Sequence, residues 1–302
     1  MIKPNAEWDN YWRAARIQRH EVDPTGTEEI APFFLAEGPS PEEALSVVDL
    51  GCGAGALSSI LIQSNYSQSK FLGVDLSYDG AKMAVNKTNG LAVQSDLSEL
   101  PIAAKSIDWV VSQFALEYAP AIAWVEAGRI VKPGGRLTVV AHARGSLIYE
   151  EHQQAAGDFG ALDQIIEVNF ALDDEGNLIG FRGEQSLRQT SGQLQAMVDD
   201  RPVGLAKPMI EALVDRLLRL SEGKHPLSKI ELTPLQDWIT DYSFYKARVD
   251  SMLSAALSPA DFMNIQQSLV SAGFTIQTAG FLTLPGGARL GFKISALKDV
   301  YS

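Results

Sequence analysis

With one cysteine, Cys52, among 302 residues, the chain can form no internal disulfide and no cysteine-based metal site. Long apolar runs are lacking too. No uninterrupted stretch approaches the roughly 18 residues a membrane-spanning helix needs. The opening Met1-Ile2-Lys3-Pro4-Asn5 soon becomes charged and carries no apolar segment of a secretory signal, so the expected location is the cytoplasm. Basic residues are outnumbered, 25 Lys and Arg against 37 Asp and Glu, for a net charge of -12. Such a surface repels phosphate backbones and argues against nucleic acid as a partner. The densest basic group, Arg13, Arg16, Arg19 and His20, reads as a solvated helix face. Internal repeats and low-complexity tracts are also absent. Neither a metal nor a membrane partner is expected, and the oligomeric state is open.

The apolar content suffices for a full core: 46% of the residues are hydrophobic and 21% charged. Trp8, Tyr11, Trp12 and Ala15 recur at helical spacing, so 7–20 reads as an amphipathic helix. Pro24, Gly26, Pro32, Gly38, Pro39 and Pro41 break up the next stretch of chain. Short strands rich in Val, Ile, Leu or Phe read at 46–50, 71–75, 91–94, 107–112 and 136–141, with helices between them at 55–64, 78–87 and 119–131. Strand alternating with helix is the pattern of βαβ units and a parallel sheet. Lys132-Pro133-Gly134-Gly135 is a stop and turn ahead of the fifth strand. Alternation then ceases. Residues 146–170, 184–200, 205–222 and 234–257 read as helices, with Asp173 to Asn177 as a polar loop. This block, 142–258, is too long for a connection and reads as a helical insertion or cap between strands five and six. A helix at 259–272 and strands at 274–280 and 288–297 rejoin the sheet through the hairpin Leu284-Pro285-Gly286-Gly287. The expected organisation is an N-terminal helical lid (1–45), an α/β domain (46–141 with 259–302), and the cap.

The chemistry concentrates at strand ends. Val47-Val48-Asp49-Leu50 runs into Gly51-Cys52-Gly53-Ala54-Gly55, a strand, a glycine bend and a helix start. Gly51 permits the sharp turn, Gly53 the close approach of backbone to a ligand, and Gly55 a helix packed near the strand. Asp49 ahead of the bend favours a ligand with positive charge or hydrogen-bond donors. Asp75 ends the second strand, where a carboxylate accepts from both ribose hydroxyls; its structural reading is a helix N-cap, a role open to Ser77 as well. Asp96 and Leu97 follow the third strand, an acceptor for an exocyclic amine beside an apolar cover for a ring; by itself Asp96 is a turn residue. Strand four leads into Ser112, Gln113, Glu117 and Tyr118 at the ligand-binding end of the sheet, whereas Asp108 stands at the opposite end and reads as structural.

Taken in order, Asp49 to Gly55, Gly73-Val74-Asp75-Leu76-Ser77, Asp96-Leu97, Leu100-Pro101 before Ile107-Asp108, and Val131 to Gly135 together resemble the class I S-adenosylmethionine-dependent methyltransferases. The similarity covers about 45–141 well and 259–297 more loosely. It implies a doubly wound, mostly parallel seven-stranded sheet of Rossmann-like form, closed by an antiparallel last strand. S-adenosylmethionine is then the cofactor. The glycine bend with Cys52 packs on its methionine part, Asp49 holds its amino group, Asp75 with Leu76 and Ser77 holds the ribose, and Asp96 with Leu97 holds the adenine. Ser112 and Gln113 border the same pocket. The expected lid places Tyr11 or Arg13 near the cofactor carboxylate; in the structural reading, Trp8, Tyr11 and Trp12 simply pack on the sheet. Methyltransferases of bases and amides carry Asn or Asp followed by Pro-Pro-Tyr where this chain has Ser112-Gln113, which points to a small-molecule acceptor instead. A general base is required only for an acceptor that arrives protonated. Candidates are His142, Glu117, Tyr118 and His20, although His142 also reads as closing a strand end and Glu117 as a solvated helix residue. Trp238, Tyr242, Phe244, Tyr245 and Arg248 in the cap read as core, or as an apolar acceptor wall. Gly51, Gly53 and Ala56 equally satisfy a dinucleotide fingerprint, so a nicotinamide-dependent oxidoreductase stays open, with Asp96 against it. A non-catalytic S-adenosylmethionine-binding interaction module is the third reading.

Overall fold

A computed structural model describes residues 8, 9, 11, 12, 27–42, 44–182, 186–199, 204–221 and 229–301. Arg13 and His20 lie outside the described residues, as does most of the expected N-terminal helix; Trp8, Asp9, Tyr11 and Trp12 are helical. The chain divides into two units, one of residues 1–149 with 255–302 and the other of 150–254. The division falls a few residues inside the 142–258 block expected from the pattern.

In the first unit, α1 (Thr27–Glu37) is a helix where prolines and glycines predict a broken segment. Pro32 within it removes one backbone donor. Tertiary packing offsets that cost, because Ile30 and Phe34 are fully buried. Then come β1 (Ser46–Leu50), α2 (Ala56–Ser64), β2 (Lys70–Asp75), α3 (Tyr78–Thr88), β3 (Leu91–Gln94) and β4 (Ile107–Gln113). A 3-10 turn (Leu116–Tyr118) leads to α4 (Ile122–Ile130) and β5 (Val131–Ala141). Strand five is longer than expected because pairing jumps from Ile107 opposite Val131 to Trp109 opposite Arg136. The predicted Lys132–Gly135 turn is present, but as an irregularity enclosed within the ladder.

The unit closes with α9 (Pro259–Ser271), β8 (Phe274–Thr283) and β9 (Arg289–Lys298), after the second unit has been traversed. The sheet has seven strands in the order β3-β2-β1-β4-β5-β9-β8. Strands β1 to β5 are parallel and β9 is antiparallel to both neighbours. Val48, Leu50, Val110, Leu137 and Ala296 are fully buried beneath the helices. Burying an aliphatic side chain of Val or Leu size contributes about 1.5–3 kcal/mol. Strand order reverses between β1 and β4, so the loops leaving their carboxyl ends splay apart and open a crevice. This is the Rossmann-like methyltransferase topology.

The second unit contains most of α5 (Leu147–Asn169), a hairpin of β6 (Phe170–Leu172) and β7 (Leu178–Phe181), α6 (Ser186–Asp199), α7 (Lys207–Ser221) and most of α8 (Lys229–Ala255). The hairpin occupies the stretch between the helices expected at 146–170 and 184–200, around the polar loop Asp173–Asn177. Asp173 Oδ1 accepts from the amides of Glu175 and Asn177, which tightens the loop between its strands. Of the aromatic cluster, Trp238 and Tyr242 are core, whereas Phe244 is exposed: Trp238 stacks on Tyr242 at 5.2 Å, and the Tyr242 hydroxyl donates to Asp163 at 2.6 Å.

Candidate functional site

The bend after β1 is drawn tight against its neighbours. Gly51 and Gly53 have φ of 69° and 48°, a region costly for residues bearing a Cβ. A Cβ on Gly51 would stand 2.2 Å from that of Ala115, in the loop after β4. One on Gly53 would meet the Trp12 indole at 2.3 Å. The bend therefore touches the β4 loop on one side and the N-terminal segment on the other.

The two strand-tip acids converge on this bend. Asp49 is buried and accepts from the Ser58 hydroxyl at 2.6 Å. Burial pushes its carboxyl up to about 6; the Ser58 bond opposes the rise and the charge of Asp75 adds to it. Asp75 Oδ2 accepts from the Gly53 amide and Oδ1 from the Ser77 amide, each at 2.8 Å. Burial again raises its carboxyl, against the pull of the Ser77 and Gly53 amides. Ser77 is the N-cap of α3, accepting from the Gly80 amide at 3.1 Å, so Asp75 is not needed for that purpose. Ser77 also donates to Asp9 at 2.6 Å. Two buried acids close enough for the charge of one to act on the other favour a ligand that brings positive charge and hydrogen-bond donors.

The remaining expected residues are placed less uniformly. Cys52 is buried with its sulfur against Gly73, and burial beside Asp49 and Asp75 raises its thiol. Leu76 is half-buried, and its carbonyl accepts from Gln94. Asp96 is exposed, with Oδ1 accepting from the Ser98 amide at 2.7 Å. Leu97 is packed into the core. The Ser112 hydroxyl is buried and donates to the Leu50 carbonyl at 2.9 Å, while Gln113 is half-buried. Tyr11 packs edge-on against Trp8 and Trp12. Asp108 accepts from Ser46 and Lys132 at the far end of the sheet, as its structural reading requires.

Glu117, in the 3-10 turn after β4, and His142, directly after β5, come together beyond the ends of adjacent strands. Glu117 is not the solvated helix residue its sequence context suggests; its side chain is fully buried. Its Oε1 lies 2.8 Å from the His142 amide nitrogen, which donates to it, and 2.7 Å from His142 Nδ1. The imidazole is stacked on one face by Phe114 at 4.2 Å and met edge-on by Tyr118 at 5.7 Å. Trp8 packs edge-on against the other aromatic of this group, Tyr118, at 5.2 Å.

Three contributors carry no sequence signal for their part: Ser58 on Asp49, Asp9 on Ser77, and Phe114 on His142. Each acts through a tertiary contact. Phe114 also holds φ of 51°, a backbone state its identity does not announce. Among the described residues, no group of three or more His, Cys, Asp or Glu is arranged to hold a metal ion. Among them, too, no helix is long and apolar enough to cross a membrane.

Residues 48–139 match the family model for a methyltransferase domain. Malonyl-[acyl-carrier protein] O-methyltransferase of Herminiimonas arsenicoxydans is 33% identical over 122 residues, 40% of this chain and 44% of that protein. Demethylmenaquinone methyltransferase of Oceanobacillus iheyensis is 30% identical over 111 residues, 34% of this chain and 47% of that protein. The chain thus spans less than half the length of these curated relatives. A solved S-adenosylmethionine-dependent methyltransferase from Mesorhizobium loti aligns over 90% of this chain and 100% of its own, at 15% identity and a TM-score of 0.46.

Proposed function

From the premise that this chain carries a class I S-adenosylmethionine-dependent methyltransferase domain, we propose that it moves a methyl group from that cofactor to a small-molecule acceptor. The observation that carries the reading is the convergence of Asp49 and Asp75 on the glycine bend, through the 2.8 Å bond from the Gly53 amide to Asp75.

The residues present fit the cofactor. Asp49 is a buried anion whose charge an ammonium group would offset. Asp75 uses one lone pair on each oxygen for a backbone amide, which leaves acceptor capacity on both oxygens for the two ribose hydroxyls. Gly51 and Gly53 let Ala115 and Trp12 close onto the bend. Asp96, exposed beyond β3, retains Oδ2 for an adenine amine. Trp12 and Tyr11, from the N-terminal segment, fit the expected cover over the bend.

When bound, the cofactor supplies an electrophilic methyl on a sulfonium. The protein's task is alignment of the acceptor with that methyl, which can supply roughly 7–11 kcal/mol of rate enhancement. Asp49 and Asp75 fix one reactant, and the loop from Phe114 to Tyr118 stands next to them through the contact of Ala115 with Gly51. The short stretches of identity to malonyl-[acyl-carrier protein] and demethylmenaquinone methyltransferases support an acceptor that is small or carried on a larger molecule.

Calorimetry with S-adenosylhomocysteine, followed by transfer of radiolabelled methyl to a panel of small acceptors, tests the proposal. Saturable binding with transfer supports it. Binding without transfer to any acceptor favours a non-catalytic binding module, and absence of binding removes the reading altogether.

A further inference from the structure

The pair formed by Glu117 and His142 has features that strand closure does not require. A carboxylate with no solvent exposure needs partners for both oxygens. Oε1 has two, the backbone and ring nitrogens of His142. Oε2 is buried and has no hydrogen-bond partner among the described residues. A hydrophobic residue would close the strand end without leaving such an oxygen unsatisfied. Phe114 adds a second cost. It takes φ of 51°, unfavourable for a bulky residue, and in that conformation lays its ring on the imidazole. Strain of this kind persists where the surrounding structure holds a group in one orientation.

The arrangement selects the tautomer of the neutral imidazole. An ionised carboxylate only accepts, so in the neutral ring the nitrogen facing Oε1 carries the proton and Nε2 carries the lone pair. Phe114 sets the ring plane and Tyr118 closes an edge. Glu117 belongs to the loop after β4 that touches Gly51 through Ala115, and His142 directly follows β5, so the pair stands at the carboxyl ends of these strands, the end that also carries the residues assigned to the cofactor.

We propose that His142 Nε2 is the proton acceptor of this methyltransferase, that Glu117 is its positioning residue, and that the acceptor is therefore a hydroxyl that arrives protonated, such as a phenol or enol. This rests on the methyltransferase reading above. In the step, the acceptor's O–H bond breaks and its proton goes to Nε2. An oxygen electron pair forms the O–CH3 bond, and the pair of the breaking C–S bond stays on sulfur, which passes from sulfonium to thioether. The imidazolium so formed faces the Glu117 carboxylate. An acceptor that is already a carboxylate anion has no use for the pair.

The test has three parts, all on the full chain. Long-range 15N–1H NMR of the histidine rings, with the His142 signal identified by its loss in His142→Asn, is expected to show Nδ1–H and a bare Nε2. Methyl transfer is then measured against phenol and enol acceptors and matched carboxylates. His142→Asn is expected to lower kcat for hydroxyl acceptors by about 10²–10⁴-fold, the usual worth of a general base, with KM nearly unchanged. Glu117→Gln keeps an acceptor for Nδ1–H and loses only the charge, so it tests the carboxylate without emptying the site; a smaller fall in kcat with the tautomer retained is expected. S-adenosylhomocysteine affinity is followed in every variant. Intact cofactor binding with unchanged kcat in His142→Asn overturns this inference and leaves the methyltransferase reading standing. An Nε2–H tautomer in the wild type, or transfer confined to carboxylates, overturns it too. Loss of cofactor binding in the wild type would instead strike the reading beneath it.

Discussion

The Gly53 amide donates to Asp75 Oδ2 at 2.8 Å, fastening the bend after the first strand to the tip of the second. Two segments far apart in sequence thereby share one buried charge. Asp75→Ala leaves the Gly53 and Ser77 amides without their acceptor and takes away the proposed ribose contacts. Affinity for S-adenosylhomocysteine is expected to fall by about 1.5–3 kcal/mol, the usual worth of hydrogen bonds to a charged group. Titration calorimetry reads it, and an unchanged dissociation constant would remove Asp75 from the site.

Asp49 makes the stability of the ligand-free chain depend on pH. Its carboxyl is raised from 3.8 to about 6 in the folded state by burial. Between those values the folded chain holds a proton that the unfolded chain has released. The contribution is therefore stabilising at acid pH and declines as pH rises through the window, by on the order of 3 kcal/mol in full. Melting temperature measured from pH 4 to pH 7 should fall more steeply with rising pH in the wild type than in Asp49→Asn. Parallel curves would show that the group is not perturbed as described.

Cofactor binding should respond to pH in the opposite sense. The ionised carboxylate is the form that attracts an ammonium group, and protonation below about pH 6 removes its charge. Affinity for S-adenosylhomocysteine is expected to weaken by up to tenfold for each unit of acidification below that point. Affinity flat from pH 5 to pH 7 would place the amino group elsewhere.

Gly51→Ala puts a Cβ where φ is 69° and where Ala115 Cβ lies 2.2 Å away. Either the bend or the β4 loop must move. A loss of about 1–3 kcal/mol is expected from the backbone alone, and more from the clash. Thermal melting checks the direction. A variant as stable as the wild type would contradict the close packing of bend and loop.

Ser77→Ala removes both the cap of α3 and the hydroxyl that donates to Asp9. A cost of about 0.5–2 kcal/mol is expected, the usual worth of an N-cap side chain. Chemical denaturation of the two proteins side by side measures it, with no change expected at Gly53, whose amide bonds to Asp75 instead.

Much of the fold is legible in the chain because its signals are local. Val47 to Gly55 announces strand, bend and helix within one short run, and Lys70 to Ser77 repeats the strand and cap. Helix α1 is not legible, since Pro32 argues against it and only the burial of Ile30 and Phe34 overrides that argument. The β6–β7 hairpin is missed for a related reason: its strands of three and four residues are too short to show a period of two. Glu117 and His142 are each ambiguous in sequence, since neither residue says which partner it will meet.

The alternation of strands and helices, the glycine bend and the acids at successive strand ends are all written in neighbouring residues, through backbone preference and hydrophobic period, and need nothing beyond the chain. Folding in three dimensions alone decided that Asp75 anchors Gly53, that Trp12 seats on the bend, and that Phe114 and Glu117 hold the His142 ring beyond the ends of two strands. The bond from Ser77 to Asp9 is of the same kind and joins residues 68 positions apart. Distances of that kind are set by sheet order and burial, which no local pattern encodes.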